Sequence, residues 1–307
     1  MPRIAAVLAC LIALLGPGAV PAASAADTLP VPYQFIPSAV VGGLPGADAP
    51  GTNDWACKPS AAHPRPVVLV HGTLGNRSTN WQTYGPLLRN NGYCVFALTY
   101  GATQPLPYPG AFGGLGDIRV SAAELGAFVD RVLTATGATK VDIVGHSQGT
   151  LMPNYYAKFL GGASRIDKYI SLAPLWHGTD TTGGGGTGQM SAAFPGADPS
   201  ALFGPAFSQM SAGSEFIDQM RAGGVAVPGI TYTNIVTRYD ELVRPYTSGI
   251  EEGMTNIVIQ DRCGLDYTEH FEIAADRNAS LQVLNALDPA HPRPVTCSLV
   301  LPFVGGA

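Results

Sequence analysis

The run Val141-Asp142-Ile143-Val144 passes without interruption into Gly145-His146-Ser147-Gln148-Gly149, and this succession constrains the fold more than any other feature of the chain. The first four residues read as a buried strand. Leu151, Met152, Tyr155, Tyr156, Phe159 and Leu160 then recur at helical spacing, so residues 148–160 read as a helix. Glycines two positions either side of Ser147 allow a tight, strained turn between the two, which lifts the serine above the C-terminal edge of a sheet. Pro153 is expected to kink this helix or delay its regular start.

The same alternation continues along the chain. Val67-Val68-Leu69-Val70 reads as a buried strand, 81–91 as a helix closed by Gly92, and 93–100 as a second strand. In 117–136 the apolar Ile118, Ala122, Leu125, Phe128, Val129, Val132 and Leu133 recur every three or four positions, a one-sided helix that Gly137 ends. Further strands are expected at 166–173, 230–237 and 256–260. Strands alternating with helices predict an α/β fold with a mostly parallel sheet and right-handed crossovers. The pattern breaks over 175–229, where Gly183 to Gly186 precede the apolar pieces 201–207 and 216–220; a segment of that length inside one domain is expected to form a cap or lid.

Composition removes several function classes. With 17 Lys plus Arg against 22 Asp plus Glu, a formal charge of −5 and no basic cluster, nucleic acid is not an expected partner. A basic start, an apolar run from Ile4 to Leu15 and the small residues Ala23-Ser24-Ala25-Ala26 read as an export signal over 1–26, too short to serve as a membrane anchor. The domain proper is then 27–307, and a secreted, extracellular location follows. It carries Cys57, Cys94, Cys263 and Cys297, an even number that reads as two disulfides in an exported chain. Three pairings are possible; Cys57 with Cys94 and Cys263 with Cys297 close the two shorter loops. No metal-ligand spacing is present.

A serine on such a turn is a nucleophile only with a base beside it. In this strand-turn-helix context the chain order is serine, acid, histidine, which leaves His177, His270 and His291. His177 precedes any good acid and His291 lies between prolines near the tail, so His270 is the candidate base. The acid should follow a strand end: Asp240 fits, and Asp261 is its rival after the next strand. Negative charge on a tetrahedral intermediate needs backbone donors, expected from Gln148 and from Thr73 in the loop His71-Gly72-Thr73-Leu74-Gly75. Asn76-Arg77-Ser78 and Asn278-Ala279-Ser280 match the glycosylation pattern and are read as chance matches.

With these residues in view, the chain resembles the secreted class 2 lipases and esterases of bacteria, those of actinobacteria above all. The resembling segments are 67–81, the run Gly145-His146-Ser147-Gln148-Gly149-Thr150-Leu151-Met152-Pro153-Asn154-Tyr155-Tyr156, 172–179, 234–247 and 261–270. It is similar, more distantly, to the fungal lipase B type, which has similarly placed disulfides. The glycine-rich stretch 180–190 departs from the pattern. The resemblance implies an α/β-hydrolase fold, with Ser147, Asp240 and His270 as a catalytic triad and Thr73 with Gln148 as the oxyanion hole. It implies a carboxylic ester hydrolase that cleaves triacylglycerols through an acyl-enzyme and needs no cofactor. Short-chain esters and polyesters are alternative substrates, and acyl transfer to another alcohol would use the same residues. A catalytically silent lipid-binding scaffold is the reading from another class. The expected partner is a lipid or other ester at an oil–water interface, met by a monomer.

Overall fold

The structure is a computed structural model that describes residues 28–44, 46–102, 110–180 and 204–306. The expected signal segment 1–26 and the glycines 183–186 lie outside the described residues.

In chain order the elements are α1 (Phe35–Gly42), β1 (Val67–Val70), α2 (Tyr84–Asn90), β2 (Val95–Leu98), α3 (Ile118–Thr136), β3 (Val141–His146) and α4 (Gln148–Phe159). There follow β4 (Ile166–Leu172), α5 (Pro205–Gln209), α6 (Glu215–Arg221), β5 (Thr231–Val236), β6 (Thr255–Val258), α7 (Ile259–Arg262) and α8 (Arg277–Leu287). The strands form one six-stranded sheet in the order β2-β1-β3-β4-β5-β6. Every pair in it is parallel.

Alternation along the strands divides the core between the two faces of the sheet. Val68, Val70, Phe96, Leu98 and Ile143 pack with α3 and α4. Val67, Leu69, Val95, Ala97 and Val144 pack with residues of α2 and α8. Helices therefore cover both faces, as an all-parallel sheet requires. The predicted apolar stripe of α3 is buried except for Phe128, which is half-buried against it. The helix is capped by the Asp117 carboxylate, which accepts from Arg119 N at 2.7 Å, and stops at Gly137 with φ 76°.

Three boundaries differ from expectation. The helix predicted over 81–91 begins at Tyr84, because the Gln82 amide bends back to the Ser78 carbonyl at 3.1 Å and keeps the preceding residues in a loop. The strand predicted over 93–100 is only Val95–Leu98: it pairs with β1 alone, and β1 offers four residues. After Val258 the chain turns into α7 instead of extending the strand to 260, and the Gln260 amide donates to Thr237 Oγ1 and the Asp266 carbonyl at that turn. The α4 helix starts directly at Gln148 and runs through Pro153, so no delay occurs. Nine of its twelve residues are buried, and packing overrides the proline's local preference.

The described part of the 175–229 segment is tied to α4. Lys158 donates to the carbonyls of Met220, Ala222 and Gly224 at 2.6, 3.0 and 2.6 Å, closing the C-terminal end of α6. Asn154 donates to the Val225 carbonyl at 2.9 Å and accepts from the Tyr232 hydroxyl at 2.8 Å. Cys57 is bridged to Cys94 and Cys263 to Cys297.

Turn geometry around Ser147 rests on bare backbone. A Cβ on Gly149 would lie 2.0 Å from the Val70 carbonyl oxygen and 2.5 Å from that of His71; one on Gly145 would lie 2.1 Å from the Gly149 oxygen. Neither neighbour can yield, since each belongs to the sheet or the turn. Gly149→Ala is therefore expected to lose at least about 2 kcal/mol of unfolding free energy in urea titration. Gly264→Ala, whose Cβ meets open space, should stay within about 0.5 kcal/mol. Equal losses for the two would show that the close approach at Gly149 is not what the turn depends on.

Candidate active site

Ser147 sits at the C-terminal end of β3 with φ 53° and ψ −124°, a backbone region that a non-glycine residue enters at a cost of order 1–3 kcal/mol. The surroundings hold it there. Its N–H donates to the Leu172 carbonyl of β4 at 2.9 Å, and its carbonyl accepts from Thr150 N at 2.8 Å and Thr150 Oγ1 at 2.7 Å.

The sheet brings the candidates of three separate segments to this point. The Ser147 hydroxyl donates to His270 Nε2 at 2.9 Å. His270 Nδ1–H donates to the Asp240 carboxylate at 2.9 Å to Oδ1 and 3.0 Å to Oδ2. Oδ1 of Asp240 also accepts from Leu242 N at 3.0 Å and Val243 N at 2.7 Å, so the carboxylate is anchored to the loop after β5 before it meets the imidazole. All three side chains are buried. Burial pulls the His270 imidazole down, but the charge and hydrogen bond of Asp240, with Glu241 and Glu269 farther out, more than offset it and hold its pKa above the usual histidine value.

Asp261, the rival acid, is elsewhere. It lies in α7 with its side chain 58% exposed, paired with Arg238 at 2.6 Å. The remaining histidines are also accounted for. His177 pairs with Glu251 at 3.0 Å, His291 pairs with Asp288 at 3.0 Å on the surface, and His63 stacks on Tyr93.

Thr73 and Ser147 share the wall of one cavity. The Gln148 N–H is the first of its helix and has no intrahelical acceptor. The loop that carries Thr73 is braced from every side. Leu74 N donates to the Gly113 carbonyl at 2.9 Å and Gly113 N to that of Gly75 at 2.7 Å. His71 Nδ1–H donates to the Gly72 carbonyl at 2.7 Å, while its Nε2 accepts from Tyr100 N at 3.3 Å. Burial holds the His71 imidazole down at about 4, against the pull of the Gly72 carbonyl, so it is neutral. The Gln148 side chain, fully buried, donates to Thr73 Oγ1 and to the Gly114 carbonyl, both at 2.9 Å. That oxygen thus accepts from Gln148, while the Thr73 hydroxyl donates to Met210 Sδ at 3.6 Å on the cavity wall.

Sequence reasoning did not single out the side chains that link these parts. His146 Nε2–H donates to the carbonyl of His270 at 2.8 Å, and its Nδ1 lies 3.1 Å from the Asn80 side-chain amide, whose oxygen accepts from Gly72 N at 3.1 Å. Burial, with His270 beside it, holds His146 down at about 3. Glu241 accepts from His270 N at 3.1 Å. None of these contacts joins neighbours in sequence, and no spacing rule announces them. Both asparagines of the glycosylation patterns are buried: Asn76 donates to the Ala111 carbonyl at 2.9 Å and Asn278 to Asp266 at 2.7 Å.

A cavity of about 520 Å³ has Ser147 and His270 in its wall; the rest is mostly apolar and includes Phe35, Leu74, Leu175, Phe207, Met210 and Val243. An apolar cleft with few polar groups accommodates hydrocarbon. Among the described residues no group of three or more His, Cys, Asp or Glu side chains is arranged to hold a metal ion, and no helix is long and apolar enough to cross a membrane.

The profile of the class 2 lipases matches residues 64–283. A triacylglycerol lipase of Burkholderia plantarii is 35% identical over 127 residues, which are 40% of this chain and 32% of that protein. A triacylglycerol lipase of Pseudarthrobacter phenanthrenivorans is 37% identical over 102 residues, 32% of this chain and 29% of that one. The matched stretch thus spans about a third of the length of these curated relatives. The crystal structure of Aspergillus fumigatus lipase B superposes with a TM-score of 0.59 at 20% identity, covering 82% of this chain and 63% of that one. That likeness, with the parallel sheet and its order, identifies an α/β-hydrolase fold.

Behind the histidine, Glu269 and Glu272 hold the two ends of the described chain. Glu269 accepts from Glu272 N at 3.1 Å and Phe303 N at 3.2 Å, and Glu272 accepts from Phe35 N at 2.9 Å. Burial pushes their carboxyls up to about 7 and about 8, and the backbone N–H donors pull them back only in part. A carboxyl raised in the folded state adds stability that is full below its ordinary value near 4.5 and is lost as pH rises through the folded value. The melting temperature should therefore fall between pH 5 and pH 9. Glu272→Gln keeps an acceptor for Phe35 N without the charge, so it should melt close to the parent at pH 5 and above it at pH 9. Parallel melting curves across that range would contradict this account.

Proposed function

The chain belongs to the class 2 lipase family, and from that premise we propose that it is a secreted serine hydrolase of carboxylic esters whose substrates are triacylglycerols. One observation carries the reading: a strained serine, a buried imidazole and an anchored carboxylate lie in hydrogen-bond succession, the first two in the wall of an apolar cavity. A binding scaffold has no use for that succession.

In this mechanism His270 Nε2 takes the Ser147 proton as Oγ attacks the ester carbonyl. Asp240 holds the Nδ1–H tautomer and stabilises the imidazolium that forms. Charge developing on the carbonyl oxygen falls to the N–H groups of Thr73 and Gln148, joined by the Thr73 hydroxyl as it turns from Met210 Sδ to the oxyanion. His270 then protonates the leaving alcohol. Water, deprotonated by the same imidazole, releases the fatty acid from Ser147. The segment 175–229 acts as a cap, with Leu175, Phe207 and Met210 forming one wall of the acyl site. The export signal at 1–26 and the two disulfides agree with a protein that works outside the cell.

A fluorophosphonate probe should label the folded protein and fail to label Ser147→Ala. Asp240→Asn should lower kcat on a soluble ester by up to about 10⁴-fold, with the acid limb of the pH profile moved to lower pH because the carboxylate that raises the imidazole is gone. Asp261→Asn should stay within about twofold, since its partner is a surface arginine. Absence of labelling in the folded parent would favour the silent scaffold, and a larger loss at Asp261 would reassign the acid.

A further inference from the structure

The α1 helix is an anomaly that the chemistry above does not use. It has no buried residue, yet its sequence, Phe-Ile-Pro-Ser-Ala-Val-Val-Gly, is apolar around its circumference. Val40 is 79% exposed and Val41 83%, with Ile36 and Leu44 also outward. The one hydroxyl, Ser38, is satisfied by the Gln34 carbonyl within the helix. A segment of this kind left in water is normally an interaction surface.

We propose that α1, together with Leu74 and Phe112 across the cavity mouth, is the surface by which this protein seats on an aggregated neutral acylglycerol phase. The inference rests on the reading that the cavity takes the acyl chain of an ester. Three observations favour that occupant. First, the surface is continuous with the cavity: Phe35 and Ala39 line it from α1, while Leu74 and Phe112, both exposed, line it from the other loops. A lipid phase can touch such a rim and still deliver a chain into the opening, whereas a docked protein would close it. Second, residues 28–47 contain no charged side chain, and the acid that follows them, Asp48, is paired with Arg77 at 2.6 Å. A surface without lysine or arginine on a chain of formal charge −5 suits an uncharged interface, not an anionic bilayer. Third, the helix is tethered to the base: Phe35 N donates to Glu272, two residues after His270, and the Phe35 ring packs 6.1 Å from His146 and 6.0 Å from Phe271. The seating surface and the reacting groups thus form one unit.

The test separates seating from chemistry. Val40→Asp combined with Val41→Asp is made both in the parent and in a Ser147→Ala background. Adsorption of the Ser147→Ala protein to triolein droplets should fall by about tenfold or more on adding the two aspartates. Hydrolysis of emulsified triolein by the parent should fall in proportion, while hydrolysis of dissolved p-nitrophenyl acetate stays within about twofold and the melting temperature is unchanged. Adsorption that is unaltered by the aspartates overturns the proposal. So does stronger binding to phosphatidylglycerol vesicles than to triolein, or a dimer in solution that the aspartates dissociate, which would make the face a contact between copies. If the parent cleaves no ester at all, the proposed function fails, while the droplet comparison in the Ser147→Ala background still decides the role of α1.

Discussion

Backbone crowding at the end of β3 is the constraint from which the site follows. The carbonyls of Val70 and His71 press on Gly149, and the Gly149 carbonyl presses on Gly145, at distances that leave no room for a Cβ. This lets α4 begin one residue after Ser147 while β1 and its outgoing loop pass directly alongside. The strained Ser147 backbone is the consequence, and three hydrogen bonds from β4 and α4 hold it. An added methyl anywhere in that cluster would separate the serine from the Thr73 loop.

Around this fixed point the polar side chains are connected. Gln148 reaches forward to Thr73, Asn80 holds the neighbouring Gly72 N–H, and His146 lies between Asn80 and the carbonyl of His270. A shift of the loop that carries His270 is therefore felt in the loop that carries Thr73. The neutral state of His71 and His146 belongs to the same design: burial removes their charge, and of these three buried histidines only His270, which has a carboxylate partner, keeps a raised basicity.

Much of this was legible in the chain. Strand, turn and helix around Ser147 are local, and hydrophobic period reports them reliably because each element buries its own face. The choice of Asp240 over Asp261 rested on strand ends, and both do follow strands; what separates them is that one carboxylate turns inward to backbone donors and the other outward to Arg238. The errors at element ends share a cause. The extent of β2 is set by the length of β1, and the course of α4 through Pro153 by nine buried residues, quantities that a local window does not contain.

The sequence by itself determined the alternating parallel architecture, the sharp turn at Ser147 and the short list of acids and bases, because periodicity, glycine placement and chain order are properties of neighbours. Tertiary structure alone decided which of those groups share protons, which buried side chains brace them, and that an uncharged helix near the N-terminal end of the described chain lies open beside the cavity. Those facts depend on distances between residues 30 to more than 120 positions apart. Such distances are set by how the whole sheet twists and packs, and no stretch of the chain encodes them separately.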